Sequence, residues 1–272
     1  MFCHRSLSFL VLAVFVIEKC SSLSINPEFR NFLKRIKNVD ILTEEQKQRI
    51  VNVKPNTDGK VHLHRDCKAL NRFRPMPSGI YVIQPKGSPP LAVYCDMNTP
   101  GGGWVVLQKI TKNSKVSFAE KWSTYQGTFG DVENDYWLGN DYIHLITKQA
   151  HYEVKFVLQN NNKKIEIDYA SFKVAGAKDN YTLSLGSPIG DKSHDDLIKV
   201  DQNGSNDNMM FSTIDHDNDN DSTKNCAEQA GGGWWFDHCS SVILNSKQIH
   251  WPDVCDDCQS ATILIKPSFE NC

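Results

Sequence analysis

The chain has 272 residues, 40% of them hydrophobic, a length that allows one large domain and a short extra segment. Thirty Lys and Arg against 32 Asp and Glu leave a formal net charge of −2. Bulk electrostatics therefore argue against nucleic acid or an anionic membrane surface as partner, and leave small polar ligands and proteins.

Residues 1–22 carry His4 and Arg5, then an apolar run from Phe9 to Ile17 that stops at Glu18-Lys19. The run is too short to span a bilayer and has the layout of a signal peptide, so the mature protein is expected to be secreted and extracellular, not membrane-embedded. Residues 23–60 read as a short helical prefix or linker. Phe29, Leu33 and Ile36 share a helical face, and a second helix is expected from Thr43, with Gln46 completing a capping box. One or two heptads do not make a coiled coil, and no Gly-X-Y repeat is present.

From residue 61 to 272 the pattern becomes that of a globular domain. Segments 80–83, 91–94, 104–107, 152–158, 164–169 and 181–185 read as strands between Gly, Pro and Asn turns, with a hairpin around Asn160-Asn161-Asn162 and a short helix over 142–147. The fold class is α+β with a central antiparallel sheet, short helices and a loop-rich part beyond Gly186.

In that loop-rich part Asp215, Asp217, Asp219 and Asp221 alternate along the chain. Two readings fit the run: a calcium loop, since Ca²⁺ takes six to eight hard oxygens, and a solvated acidic turn. An EF-hand fits poorly, because counting from Asp217 puts Ser222 where glycine is required. Cys226 follows, and Gly231-Gly232-Gly233-Trp234-Trp235-Phe236-Asp237-His238-Cys239 closes the segment.

Without Cys3 and Cys20 of the leader, seven cysteines remain: 67, 95, 226, 239, 255, 258 and 272. In an oxidising compartment one is left free or intermolecular, which suits a disulfide-linked homo-oligomer. Sequons at Asn180 and Asn203 mark candidate glycosylation sites, and a third at Asn220 would crowd the aspartates. No Gly-x-Ser-x-Gly elbow, His-Glu-x-x-His helix or phosphate loop occurs, and no nucleophile stands at readable spacing from a base, so an enzyme is not expected.

Several motif words occur in one register: Asp66-Cys67, Ser78-Gly79-Ile80-Tyr81, Val93-Tyr94-Cys95-Asp96-Met97, Gly101-Gly102-Gly103-Trp104, Tyr136-Trp137-Leu138-Gly139-Asn140, Asn225-Cys226-Ala227-Glu228 and the double-tryptophan segment. From about Asp66 to Phe269 the chain resembles the fibrinogen C-terminal (fibrinogen-related) domain family. The resemblance implies disulfides Cys67–Cys95 and Cys226–Cys239. It implies Ca²⁺ on the side chains of Asp217 and Asp219 and the carbonyls of Asp221 and Thr223, or on Asp219 and Asp221 in a shifted register. It also implies a ligand pocket in which His238 and Cys239 present backbone donors, often across a non-proline cis peptide, and Trp235 and Phe236 serve as aromatic walls. The expected partners are glycans bearing acetylated sugars or a cell-surface receptor protein.

The chain departs from the family beyond Cys239. Ser240 stands in place of the pocket histidine, Ala230 in place of an acidic partner of Gln229, and the block before Thr262 is short, so much of the usual pocket wall is expected to be missing. Cys255, Cys258 and Cys272 have no family counterpart, and a disulfide involving Cys272 is the favoured pairing.

Overall fold

A computed structural model describes residues 27–53, 61–72, 74–200, 204–239 and 241–268. The expected leader, Asn203, Ser240 and Cys272 lie outside them. The chain divides into two compact units, Met1–Arg35 and Ile36–Cys272. Of the first, the described residues 27–35 hold helix α1 (Pro27–Leu33), with proline at the position where its missing N–H is not needed. It ends before Ile36, short of the stretch that the apolar spacing suggests.

The second unit begins with a 3-10 turn (Val39–Ile41) and α2 (Glu44–Gln48). The expected capping box is formed: the Gln46 N–H donates to Thr43 Oγ1 at 3.1 Å and the Thr43 N–H to Gln46 Oε1 at 2.9 Å. This stretch is knitted into the domain, one of the two placements, packed on the domain or loosely tethered, that a short prefix allows. Asn38 exchanges two 2.8 Å hydrogen bonds with the backbone of Ala92, Asn52 does the same with Val82 at 2.7 and 2.8 Å, and Arg49 makes a forked pair with Glu133. The two asparagines complete backbone groups that the strands would otherwise leave open.

Among the described residues the main sheet has nine antiparallel strands. β1 (Gly79–Ile83), β2 (Leu91–Asp96) and β3 (Trp104–Thr111) follow one another, and β4 (Phe129–Gly130) and β5 (Tyr136–Trp137) attach along β3. β6 (Tyr152–Asn160) and β7 (Lys163–Tyr169) form the expected hairpin, turned by Asn161 and Asn162 at φ 43° and 67°. Two successive left-handed residues suit the type I′ turn that asparagine tolerates. β10 (Pro188–Ile189) extends the far edge, and β8 (Phe172–Val174) pairs with β9 (Leu183–Leu185) in a second small sheet.

The last strand, β11 (Ser260–Pro267), lies between β3 and β6, so the end of the described chain fills the middle of the sheet. The strand expected over 181–185 starts only at Leu183, because Asn180 and Tyr181 adopt φ 47° and 50°. Tyr181 is held there by its hydroxyl, which donates to Asp141 Oδ1 at 2.6 Å and accepts from Gln126 Nε2.

Among the described residues four further α-helices follow, α3 (Cys67–Asn71), α4 (Trp122–Gln126), α5 (Asn140–Thr147) and α6 (Cys226–Ala230), with a second 3-10 turn at Ala177–Asp179. Disulfides join Cys67 to Cys95, Cys226 to Cys239 and Cys255 to Cys258. The third corrects the expected pairing through Cys272. Reciprocal 3.0 Å hydrogen bonds between Trp251 and Cys255, and one from the Cys258 N–H to the Ile249 carbonyl, fold the chain so that the Cα atoms of Cys255 and Cys258 stand 5.3 Å apart. Among the described residues no helix is long and apolar enough to cross a membrane.

Candidate functional site

The glycine run owes its course to α6. Asn225 caps the helix start through Oδ1, which accepts from the Glu228 N–H at 2.9 Å, and Gly231 ends it at φ 70°. Gly232 then passes so close to Asn245 that a Cβ there would sit 1.5 Å from the Asn245 carbonyl oxygen. The Gly233 N–H donates to the Tyr125 hydroxyl, and Trp234 bridges to Ser212.

Trp235 and Phe236, which the resemblance implies as aromatic walls, lie in the core, the place a double tryptophan more often takes. Both are buried, the Trp235 Nε1–H is satisfied by the Tyr181 carbonyl at 2.8 Å, and its ring packs edge-on against Phe211 and Trp234 at 5.2 and 5.0 Å. An indole with its faces and its donor occupied inside has nothing left to offer a ligand.

The aspartate run forms successive Asx turns. Asp217 Oδ1 accepts from the Asp219 N–H, Asp219 Oδ1 from the Asp221 N–H, and Asp221 Oδ1 from the Thr223 N–H. Alternating spacing produces this pattern, since each carboxylate reaches the amide two residues on. Asp215 faces elsewhere: its Oδ1 accepts from the Trp122 N–H at 2.8 Å and the Thr213 hydroxyl, tying the loop to α4. Burial works to raise the Asp215 pKa, but those donors outweigh it and hold the carboxyl below the ordinary range. Thr223 likewise holds Asp221 low. Asp219 is raised, first by burial and further by the Asp217 carboxylate beside it.

Of the expected cation ligands, Asp219 already accepts at both oxygens, from the Asp221 N–H at 2.9 Å and the Cys226 N–H at 2.8 Å. Asp217 and Asp219 bring like charges together in a loop of oxygen donors, a strain that a divalent ion relieves. Asp221 fits less well, because Oδ1 is taken by both donors of Thr223 and Oδ2 lies 3.7 Å from Cys239 Sγ. Asp221, Cys226 and Cys239 lie together, but the two sulfurs are bonded to each other and supply no thiolate.

Beside the Cys226–Cys239 bond opens a cleft of about 560 Å³, lined by Ala119, Gln229, Ala230, Gly231, Cys239, Ile243, Ser246, Lys247, Gln248 and His250. The shortened segment after Cys239 thus still supplies a wall, held by the Ile243–His250 bridge and by the Ser246 hydroxyl donating to the Ala230 carbonyl at 2.9 Å. Of the expected ligand residues only Cys239 lines this cleft. His238 is exposed beside Asp237, its Nδ1 3.3 Å from Oδ1, and no cis peptide occurs among the described residues. Ile243, Ser246, Lys247, Gln248 and His250 were missed; the signal was the apolar Ile243-Leu244 and Ile249 flanking the turn formers Asn245-Ser246. Of the expected glycosylation sites, Asn180 is partly exposed, with its amide nitrogen 3.2 Å from Met210 Sδ. The Asn220 amide is engaged by Asp237 Oδ1 at 2.7 Å.

The family described as fibrinogen beta and gamma chains, C-terminal globular domain, matches residues 63–259. A fibrinogen-like protein 1-like protein of Gallus gallus is 42% identical over 198 residues, covering 72% of this chain and 69% of the relative. Tenascin-R of Homo sapiens is 38% identical over 70% of this chain and 14% of its own length, and angiopoietin-related protein 7 of Bos taurus 37% identical over 66% and 51%. The chain thus spans about half the length of the latter and a small part of the former. The fibrinogen-like globe domain of human ANGPTL2 superposes with TM-score 0.66 at 26% identity, over 76% of this chain and 100% of that one. A lamprey fibrin D-dimer, complexed with the peptide Gly-His-Arg-Pro-amide, superposes with TM-score 0.72 over 97% of this chain and 84% of its own; at 23% identity it is a likeness of fold.

Proposed function

Since the chain belongs to the family of fibrinogen C-terminal globular domains, we propose that it is a secreted, calcium-stabilised binding protein whose cleft beside Cys226–Cys239 takes a polar segment of a cell-surface protein. The observation that carries this reading is the cleft's lining: Gln229, Ser246, Lys247, Gln248 and His250, with no Trp, Tyr or Phe among the lining residues. A sugar ring finds no Trp, Tyr or Phe face to stack on there, whereas a peptide finds donors and acceptors along the wall. Acetylated glycans are the alternative ligand, and the same side chains would meet their hydroxyls.

Bound at Asp217 and Asp219, Ca²⁺ would neutralise the paired carboxylates and brace the loop from outside the cleft. Asp219 relays that bracing, because its Oδ2 accepts from the Cys226 N–H at 2.8 Å and Cys226 is bonded to the cleft residue Cys239. With Cys255 and Cys258 paired, Cys272 is the odd cysteine through which a homo-oligomer would be linked.

Calorimetry on the secreted chain tests the reading. Calcium heat in the wild type, its loss in an Asp217→Ala/Asp219→Ala chain, no heat with N-acetylglucosamine, and cell-surface binding weakened by Lys247→Glu/Gln248→Ala are expected. Calcium-dependent heat with the sugar would replace the protein ligand by a glycan. No calcium heat would reduce the aspartate run to a solvated loop.

A further inference from the structure

A second cleft, of about 370 Å³, opens around α3, and Arg65, Lys68, Arg72 and His64 line it together with Pro267. The surrounding sequence is basic in a chain whose net charge is slightly negative. Over residues 61–74 the cations Arg65, Lys68, Arg72 and Arg74 face a single acid, Asp66. That acid also lines the cleft, but it is buried and both its oxygens are engaged: Oδ1 accepts from the Ala69 N–H at 2.8 Å, and Oδ2 accepts from the Arg65 Nε–H and the Tyr152 hydroxyl. It orients Arg65, whose side chain is still 46% exposed, while the Lys68 ammonium is held by the Pro267 carbonyl at 3.1 Å and keeps two donors.

The backbone under these cations is rigid. Cys67 is bonded to Cys95, the His64 carbonyl accepts from the Gln84 N–H at 2.8 Å, and the Arg65 carbonyl from Gln149 Nε2 at 3.3 Å. Fixed cations around a concavity lose little freedom when an anion arrives.

We propose that this cleft binds a sulfated polysaccharide through Arg65, Lys68 and Arg72. Guanidinium forks match tetrahedral oxyanions, and a repeating sulfated chain reaches several cations at once, with the cleft sized for about one sugar unit. Three disulfides indicate an oxidising, extracellular setting, where this polyanion is met and the anionic cytoplasmic leaflet is not.

The test uses the full secreted chain on immobilised heparin and in titrations with a sulfated heparin oligosaccharide and its desulfated counterpart. The wild type is expected to bind the sulfated form, with affinity falling as salt rises. Arg65→Gln/Arg72→Gln should weaken binding about tenfold and elute at lower salt. A control, Lys163→Gln/Lys173→Gln, should elute with the wild type, both lysines being exposed and far from the cleft in sequence.

Equal elution of the arginine variant and wild type would overturn the proposal, as would equal loss in the control or equal binding of desulfated sugar. So would tighter binding to phosphatidylserine vesicles or to DNA. If the arginine variant unfolds at a lower urea concentration, protection of wild-type Lys68 from acetylation by the sulfated oligosaccharide decides, and absence of protection rejects the site. The Asp217→Ala/Asp219→Ala chain should retain this binding, which separates its failure from that of the calcium-braced cleft.

Discussion

Replacing Gly232 by alanine isolates what packing demands of the glycine run. The new Cβ would stand 1.5 Å from the Asn245 carbonyl oxygen, 2.7 Å from its carbon and 3.3 Å from the Phe118 oxygen. Ordinary contact lies near 3.5 Å, so one backbone segment must retreat by roughly 2 Å. Asn245 cannot retreat alone: it is fully buried, its Oδ1 accepts from Gln108 Nε2 at 3.0 Å, and its Nδ2 donates to the Gly233 carbonyl at 3.1 Å. Losing those bonds and leaving their buried groups unpaired should cost about 4 kcal/mol.

Gly231→Ala is the matched control. Nothing lies within 4 Å of its Cβ, but φ +70° imposes about 1–2 kcal/mol on an L side chain. Urea unfolding followed by tryptophan fluorescence compares the two. Gly232→Ala should lower the midpoint at least twice as far. Equal shifts, or the reverse order, would refute the steric argument and with it the close docking of the 243–250 wall on the glycine run.

Trp235→Ala should destabilise by about 3–5 kcal/mol in a thermal or urea melt, as for a core aromatic, whereas a ligand wall would leave the melt unchanged. By loop length, removing Cys67–Cys95 (separation 28) should cost about 3.6 kcal/mol and removing Cys226–Cys239 (separation 13) about 2.9, measured as Cys→Ser pairs in denaturant. In calcium-free buffer Asp217→Asn should lower the Asp219 pKa part of the way to the ordinary range, read by carboxyl NMR titration; no movement would leave burial as the sole cause. Because the Asp219 pKa is raised in the fold, its contribution to stability is full below the unfolded pKa and is lost as pH rises through the folded one. Asp215 and Asp221, lowered in the fold, contribute above the unfolded value and lose that contribution as pH falls through their folded ones. A calcium-free melt across the acid range should show both trends, and Asp219→Asn should remove the first.

Features set by neighbours in the chain were legible in the residues alone. Thr43 and Gln46 sit three apart and cap the same turn, Asn161 and Asn162 tolerate the left-handed backbone that closes the β6–β7 hairpin, and Asp217, Asp219 and Asp221 are spaced to meet the amide two residues on. The strands β1, β2 and β3 announce themselves by apolar runs between turn formers, and the register of motifs pointed to the family.

Whatever depends on which distant segments meet was decided by tertiary structure. An apolar run such as Thr262–Pro267 does not say that it will lie between β3 and β6, because strand neighbours are chosen by long-range pairing and not by local propensity. The double tryptophan reads more readily as core than as ligand platform, and what places Trp235 inside is the enclosure by Tyr181, Phe211 and Trp234. The cleft beside Cys239 exists because Ile243 and His250 pair across a turn that docks on the end of α6, and the pairing of Cys255 with Cys258 follows from the fold at Trp251. Local chemistry determined the turns, caps and carboxylate spacing, since their partners lie within a few residues; burial and contact across the chain determined which of those residues remain available to a ligand.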